Sequence, residues 1–211
     1  SSEEAMSVAT ATQGLKDALL EVRIAATVFA SKPSDEQIQA LEAARGRAAT
    51  HAQEIAKSRW SKDAASLAEQ IEGIGTAFAT LKAAQEQIGF VDTAGLRGKL
   101  RMAIIQLNGA MGMLSFTEPG RLANAALQVL QNHEKDFRLD PDPKYLARFE
   151  VAADLVRKQI DDIGGEEPAK KIAMEFIGVY SDSMVKYAAA LVEAKAHLAD
   201  IGAPVWRGYA H

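Results

Sequence analysis

Four histidines, His51, His133, His197 and His211, carry the most versatile chemistry in this chain. A metal site would draw on them at helical ligand spacing, and no HExxH motif is present. The Glu-x-x-His pairs that build di-iron centres in four-helix bundles are missing too, because Leu130 and Ala194 stand three residues before His133 and His197. Cysteine is absent, which removes thiol nucleophiles, disulfides and zinc ribbons. Gly73-Ile-Gly75 and Gly109-Ala-Met-Gly112 lack the preceding strand that a phosphate loop requires, and read as points of close helix packing. Met102, Met111 and Met113 read as core or near-core gap fillers. No serine or threonine sits in a recognisable nucleophile elbow. These residue types argue against an enzyme and against a metal or other cofactor.

What remains is binding chemistry, carried by polar side chains at positions that should face a core, where an unpaired charge is costly. The fifth helix follows Ala123, Leu127, Leu130, Glu134 and Phe137, which points Glu134 inward with Gln131 and Arg138 beside it. Counting the fourth helix back through Leu114, Met111, Leu107, Ile104 and Leu100 puts Arg97 in its seam and Arg101 alongside. Arg45 falls in the second-helix seam, Gln85 in the third, and Arg23 next to Val22 in the first. An arginine fork holds a carboxylate through two parallel hydrogen bonds. Arg23, Arg97, Arg101, Glu134, Gln131, Arg138 and Gln85 are therefore the candidate ligand-binding residues. A competing reading makes Arg97 and Glu134 a buried ion pair that fixes helix register and binds nothing. Arg45 and Lys135 read as solvated, His133 as a structural or surface residue, and Trp60 as a cap on the core at a helix junction.

The elements that must position these groups are helical. The chain holds 40 alanines and only 6% aromatic residues, and alanine combines the best helix propensity with little preference for strands. Breakers at Lys32-Pro33-Ser34, Arg59-Trp60-Ser61, Gly89 to Thr93, Thr117-Glu118-Pro119, Leu139 to Pro143 and Gly164 to Pro168 cut it into seven segments. Apolar positions step by four and three along each: Leu15, Leu19, Val22, Ala26 and Phe29 in the first, Leu67, Ile71, Ile74, Phe78, Leu81, Gln85 and Ile88 in the third. The last repeats the pattern with Tyr180, Met184, Tyr187, Leu191, Ala194, Leu198 and Ile201. This is the seam of bundled helices, and the short connections make sequential neighbours antiparallel. The expected fold is all-α, an elongated antiparallel helical bundle.

With 211 residues and 48% hydrophobic content the chain can bury a core, which excludes disorder. A net charge of −4 lacks the basic excess of a nucleic-acid binder. No run of 18 apolar residues and no export signal occurs in it. A longer echo is also visible. Phe29-Ala-Ser-Lys-Pro33 through Ile38 aligns with Phe137-Arg-Leu-Asp-Pro141 through Leu146 at an offset of 108, and Leu41 then falls on Phe149. An approximate duplication of 15–90 by 123–203 follows as an expectation.

Gln131-Asn-His-Glu-Lys-Asp-Phe137-Arg-Leu-Asp-Pro141-Asp-Pro-Lys-Tyr145-Leu-Ala-Arg-Phe149 resembles a stretch common in helical bimodular sensor domains of bacterial methyl-accepting chemotaxis proteins. Gly89-Phe-Val-Asp-Thr-Ala-Gly95-Leu-Arg-Gly98-Lys-Leu-Arg101 and Leu20-Glu-Val-Arg23-Ile-Ala are similar to two further marks of that family. The resemblance implies two stacked four-helix modules sharing long helices, within one periplasmic sensor domain over 1–211. It implies flanking transmembrane helices, an inner-membrane receptor with cytoplasmic signalling partners, and small organic acids as ligands. The expected role is a sensor domain that binds such a metabolite between helices and passes a helix shift across the membrane, as a homodimer. The alternative is the sensor domain of a histidine kinase that recognises a ligand-loaded periplasmic binding protein through its surface.

Overall fold

The computed structural model describes residues 2–58, 61–165 and 168–201, with backbone alone over 61–64. Seven α-helices and no strand occur among the described residues. They are α1 (Ser2–Ser31), α2 (Asp35–Ala56), α3 (Ser61–Ile88), α4 (Gly95–Leu114), α5 (Glu118–Leu139), α6 (Pro143–Asp161) and α7 (Pro168–Asp200). The sequence breakers coincide with their ends. The Trp60 junction, Val205 onward and His211 lie outside the described residues.

Local chemistry explains several of the boundaries. Ser34 caps α2 by accepting from the Gln37 amide, Thr117 caps α5 by accepting from Gly120, and Asp142 caps α6 by accepting from Lys144. Pro119 and Pro143 occupy first-turn positions whose missing N–H costs the helix nothing. At the far end of α6 the Lys170 ammonium donates to the Asp161 and Ile163 carbonyls at 3.0 and 2.6 Å, satisfying orphan acceptors and complementing the helix dipole. The turn from α3 into α4 explains the glycines of the Gly95-Leu-Arg-Gly98 segment. Gly95 has φ of +56°, and a Cβ there would lie 2.6 Å from the Gln87 carbonyl oxygen. A Cβ on Gly98 would lie 2.4 Å from that of Thr93.

The chain divides into two compact units: residues 1–86 with 192–211, and residues 87–191. Helices α3 and α7 contribute residues to both. In the first unit α1 packs along α2, with Ala44, Ala48 and Ala52 buried on the α2 side and Ala18, Leu19, Val22 and Ala26 on the α1 side. Phe29 meets Phe78 of α3 edge to face at 5.3 Å. In the second unit α5 packs on α6, and Phe149 meets Tyr180 of α7 at 5.2 Å in the same geometry. Residues of the sequence echo occupy like places in the two hairpins. Phe29 and Phe137 are both buried before the turn, and Leu41 and Phe149 both after it.

Two packing expectations fail. Gly73, Gly109 and Gly112 make no close helix contact among the described residues, of which none lies within 4 Å of where their Cβ atoms would stand. Of that set Gly75 does approach a neighbour, the Arg45 guanidinium, whose Nη1 would be 3.0 Å from its Cβ. Among the methionines Met111 is core, whereas Met102 and Met113 are exposed. The reason lies in α4, which carries apolar residues on two opposite sides, so that periodicity alone does not reveal which side faces in.

A tyrosine, carboxylate and arginine cluster in the second unit

The α5 seam carries Glu134 inward as its spacing predicts, leaving the side chain 14% exposed. Its carboxylate accepts a hydrogen bond from the Tyr180 hydroxyl of α7 and lies 2.7 Å from Arg138 Nε, one turn along α5. The arginine contact is an ion pair by proximity rather than an aligned hydrogen bond, because the Nε–H finds no acceptor in good geometry. The Arg138 guanidinium also stands 5.4 Å from the Tyr187 ring centroid, and Tyr187 meets Phe137 edge to face at 6.3 Å. Burial raises the Tyr180 hydroxyl pKa far above its usual value, and the charge and hydrogen bond of Glu134 add to this, against a smaller lowering by Arg138. Tyr180 is therefore a neutral donor throughout the physiological range. Between them the four side chains form a polar island walled by Phe137, Phe149 and Tyr180 itself.

The buried ion pair expected between Arg97 and Glu134 is not formed. Arg138 takes the carboxylate, and Arg97 pairs with Asp92 at 3.8 Å. Counting the α4 seam backward carried it into the first turn, where Arg97 is the third helical residue and reaches the preceding loop. Its side chain stays 29% exposed while Nε is buried without a hydrogen-bond partner. Arg101 is exposed. Gln131 is half-buried and donates to the Asn108 side chain at 3.3 Å, tying α5 to α4. Glu134, Arg138, Gln131, Arg97 and Arg101 thus belong to the second unit, where Glu134 and Arg138 form an ion pair.

Arg23 and Gln85 belong to the first unit. Arg23 is exposed on α1. Gln85 is buried at 4% exposure and donates its amide to the Ala30 carbonyl at 3.1 Å, an acceptor in the last turn of α1 with no partner within the helix. Replacing Gln85 by leucine should cost about 1 kcal/mol, the net value of one buried hydrogen bond, read as a lower urea midpoint with unchanged slope. Arg45 is half-buried, paired with Glu42 at 2.7 Å.

Sequence reasoning missed the two tyrosines as polar partners. Spacing puts both in the α7 seam among apolar residues, and a tyrosine at a seam position is itself the signal, since its hydroxyl needs an acceptor when buried. It also passed over carboxylates at helical spacing from two histidines. Glu193 lies 3.4 Å from His197 and Glu54 lies 3.8 Å from His51. These are single contacts, and among the described residues no three histidine, aspartate or glutamate side chains could hold a metal. His133 is half-buried with Nδ1 unpartnered, and Lys135 is exposed.

Fold and cluster together define an all-helical bundle protein with a tyrosine-carboxylate-arginine island inside one of its two units. No protein-family model matches the chain, and no curated protein and no solved structure matches it. No helix of the described residues is long and apolar enough to cross a membrane.

Proposed function

We propose that this chain is an extracytoplasmic sensor domain of a chemoreceptor, which binds a small organic acid or similar metabolite among helices of the second unit. The observation that carries the reading is a coincidence of place. The stretch from Gln131 to Phe149, which resembles helical bimodular sensor domains, is the one that supplies Glu134, Arg138, Phe137 and Phe149 to the cluster. Arg138 is already half satisfied by Glu134, so an incoming carboxylate competes for it, and a ligand amine competes for Glu134. Binding favours one of two packings of the helices around Tyr180 and Tyr187. A displacement of about 1 to 2 Å along α7 would then be the transmitted signal, through flanking membrane helices and as a homodimer in the inner membrane.

The test is a thermal-shift screen of the chain against organic acids, amino acids, amines and purines, with calorimetry on any hit. At a hundred times its dissociation constant a ligand adds about 2.7 kcal/mol of stability. A carboxylate hit is expected to lose at least about tenfold in affinity in Arg138→Ala or in Arg97→Ala, a loss of about 1.4 kcal/mol. Full affinity in both variants, and in Arg23→Ala and Arg101→Ala, overturns the assignment of the site. A second reading has its own support. A histidine-kinase sensor domain that recognises a loaded binding protein needs an exposed apolar surface, and α4 presents one.

A further inference from the structure

The outer face of α4, with Phe116 in the turn two residues beyond its end, forms an apolar seam. Met102, Ile105, Gly109, Gly112 and Phe116 recur in steps of three, four, three and four, with Met113 beside them. Met102, Ile105, Met113 and Phe116 are 50, 58, 70 and 85% exposed. This is the spacing with which one helix packs along another. It lies opposite the set Leu100, Ala103, Leu107, Met111 and Leu114 that faces the core. The helix has two seams, and the described residues fill one.

Gly109 and Gly112 sharpen the point. Both are exposed in the helix, with nothing within 4 Å of a would-be Cβ. Glycine weakens a helix interior, and nothing among the described residues accounts for either. Close approach of a second helix backbone does account for them. Charge agrees. No charged residue occurs from Met102 to Thr117, in a chain of which 25% is charged, so two copies meeting on this face bring no like charges together.

We propose that two copies of this chain associate in parallel through the outer seam of α4, with Gly109 and Gly112 of each at the point of closest approach. A two-fold pairing sets each seam residue against its own counterpart, which suits an uncharged, self-complementary face. With 20 residues, α4 is about 30 Å long and about 10 Å wide, so the seam covers on the order of 300 Å² per copy. That is well under the roughly 800 Å² per partner of a stable specific interface. The association is therefore weak, a small fraction in dilute solution that grows with concentration and fills when chains are held together, as on a membrane. The parallel direction rests on the receptor reading, because two chains anchored in one membrane run the same way. The seam itself rests on α4 alone.

The absence of cysteine makes the test clean. Single-cysteine chains Gly109→Cys and Ile105→Cys are oxidised mildly beside Glu150→Cys, a control on the exposed side of α6. Both seam variants are expected to form linked dimers about tenfold faster than the control. Sedimentation of the unaltered chain should show a mass that rises with concentration, while Ile105→Glu stays monomeric with an unchanged melting temperature. Linking no faster than the control, together with a single-chain mass at every concentration, overturns the proposal and leaves the face to a different partner. A mixed Ile105→Cys and Met113→Cys link without self-linking at either position means antiparallel pairing, which overturns the arrangement and the shared-membrane reading together. Failure of the ligand screen leaves both readouts untouched, so the two ideas fail separately.

Discussion

Alanine at position 120 is expected to lower the stability of the chain by about 2 kcal/mol, seen as a fall of about 4 to 8 °C in melting temperature. Gly120 is buried in the first turn of α5, and a Cβ there would stand 1.7 Å from the Leu114 carbonyl oxygen and 2.6 Å from its carbon. Those atoms are backbone, so no rotamer change relieves the overlap, and the turn between α4 and α5 must open. In doing so it strains the contact between Gly120 N–H and the Thr117 hydroxyl that caps the helix. Gly112→Ala is the matched control. The same change on the same hairpin, made in open space, should raise helix stability by up to about 1 kcal/mol in dilute solution. Equal effects of the two substitutions would show that the close approach at Gly120 is absent.

The second large effect concerns the polar island. Glu134→Ala should cost about 2 to 3 kcal/mol, because it leaves the buried Tyr180 hydroxyl without an acceptor and the Arg138 guanidinium without its counter-charge. A pH dependence follows from Tyr180. Its hydroxyl titrates near 10 in the unfolded chain and far higher in the fold, where burial and then Glu134 oppose its ionisation. Above about pH 10 the unfolded chain has released this proton and the folded chain still holds it. Stability therefore is fully present below that pH and falls as pH rises, at about 1.4 kcal/mol per unit from this group. Urea titrations between pH 9 and pH 11 should show a steeper decline for the unaltered chain than for Tyr180→Phe. Parallel curves would mean that Tyr180 ionises as freely in the fold as outside it.

Much of the fold was legible because its signals are local and repeated. Six breakers separate seven helices, and the seam residues of α1, of α3 apart from Leu67 and of α5 apart from Glu134 are buried in the core where their spacing puts them. Glu134 beside Arg138 was legible for the same reason, since residues four apart share a face. Other features depend on partners that spacing does not reveal. The acceptor of Tyr180 lies 46 residues away in the chain. Arg97 faces Asp92 because the helix has only just begun there, which a periodic count ignores. The outward glycines and methionines of α4 look like core residues by type, and only three-dimensional burial separates the two apolar sides.

The alanine-lined contact between α1 and α2 has a mechanical consequence. Ridges of large side chains lock neighbouring helices into discrete registers, because one row must climb over another before the next groove is reached. Ala44, Ala48 and Ala52 on α2 offer low ridges, so the energy surface for axial creep of α1 against them is shallowly corrugated. Around Phe137, Phe149 and Tyr180 the interlocked rings make the corresponding surface steep. The helix pair of the first unit is thus built to slide smoothly, and the ring-locked helices of the second to hold a position or jump between positions.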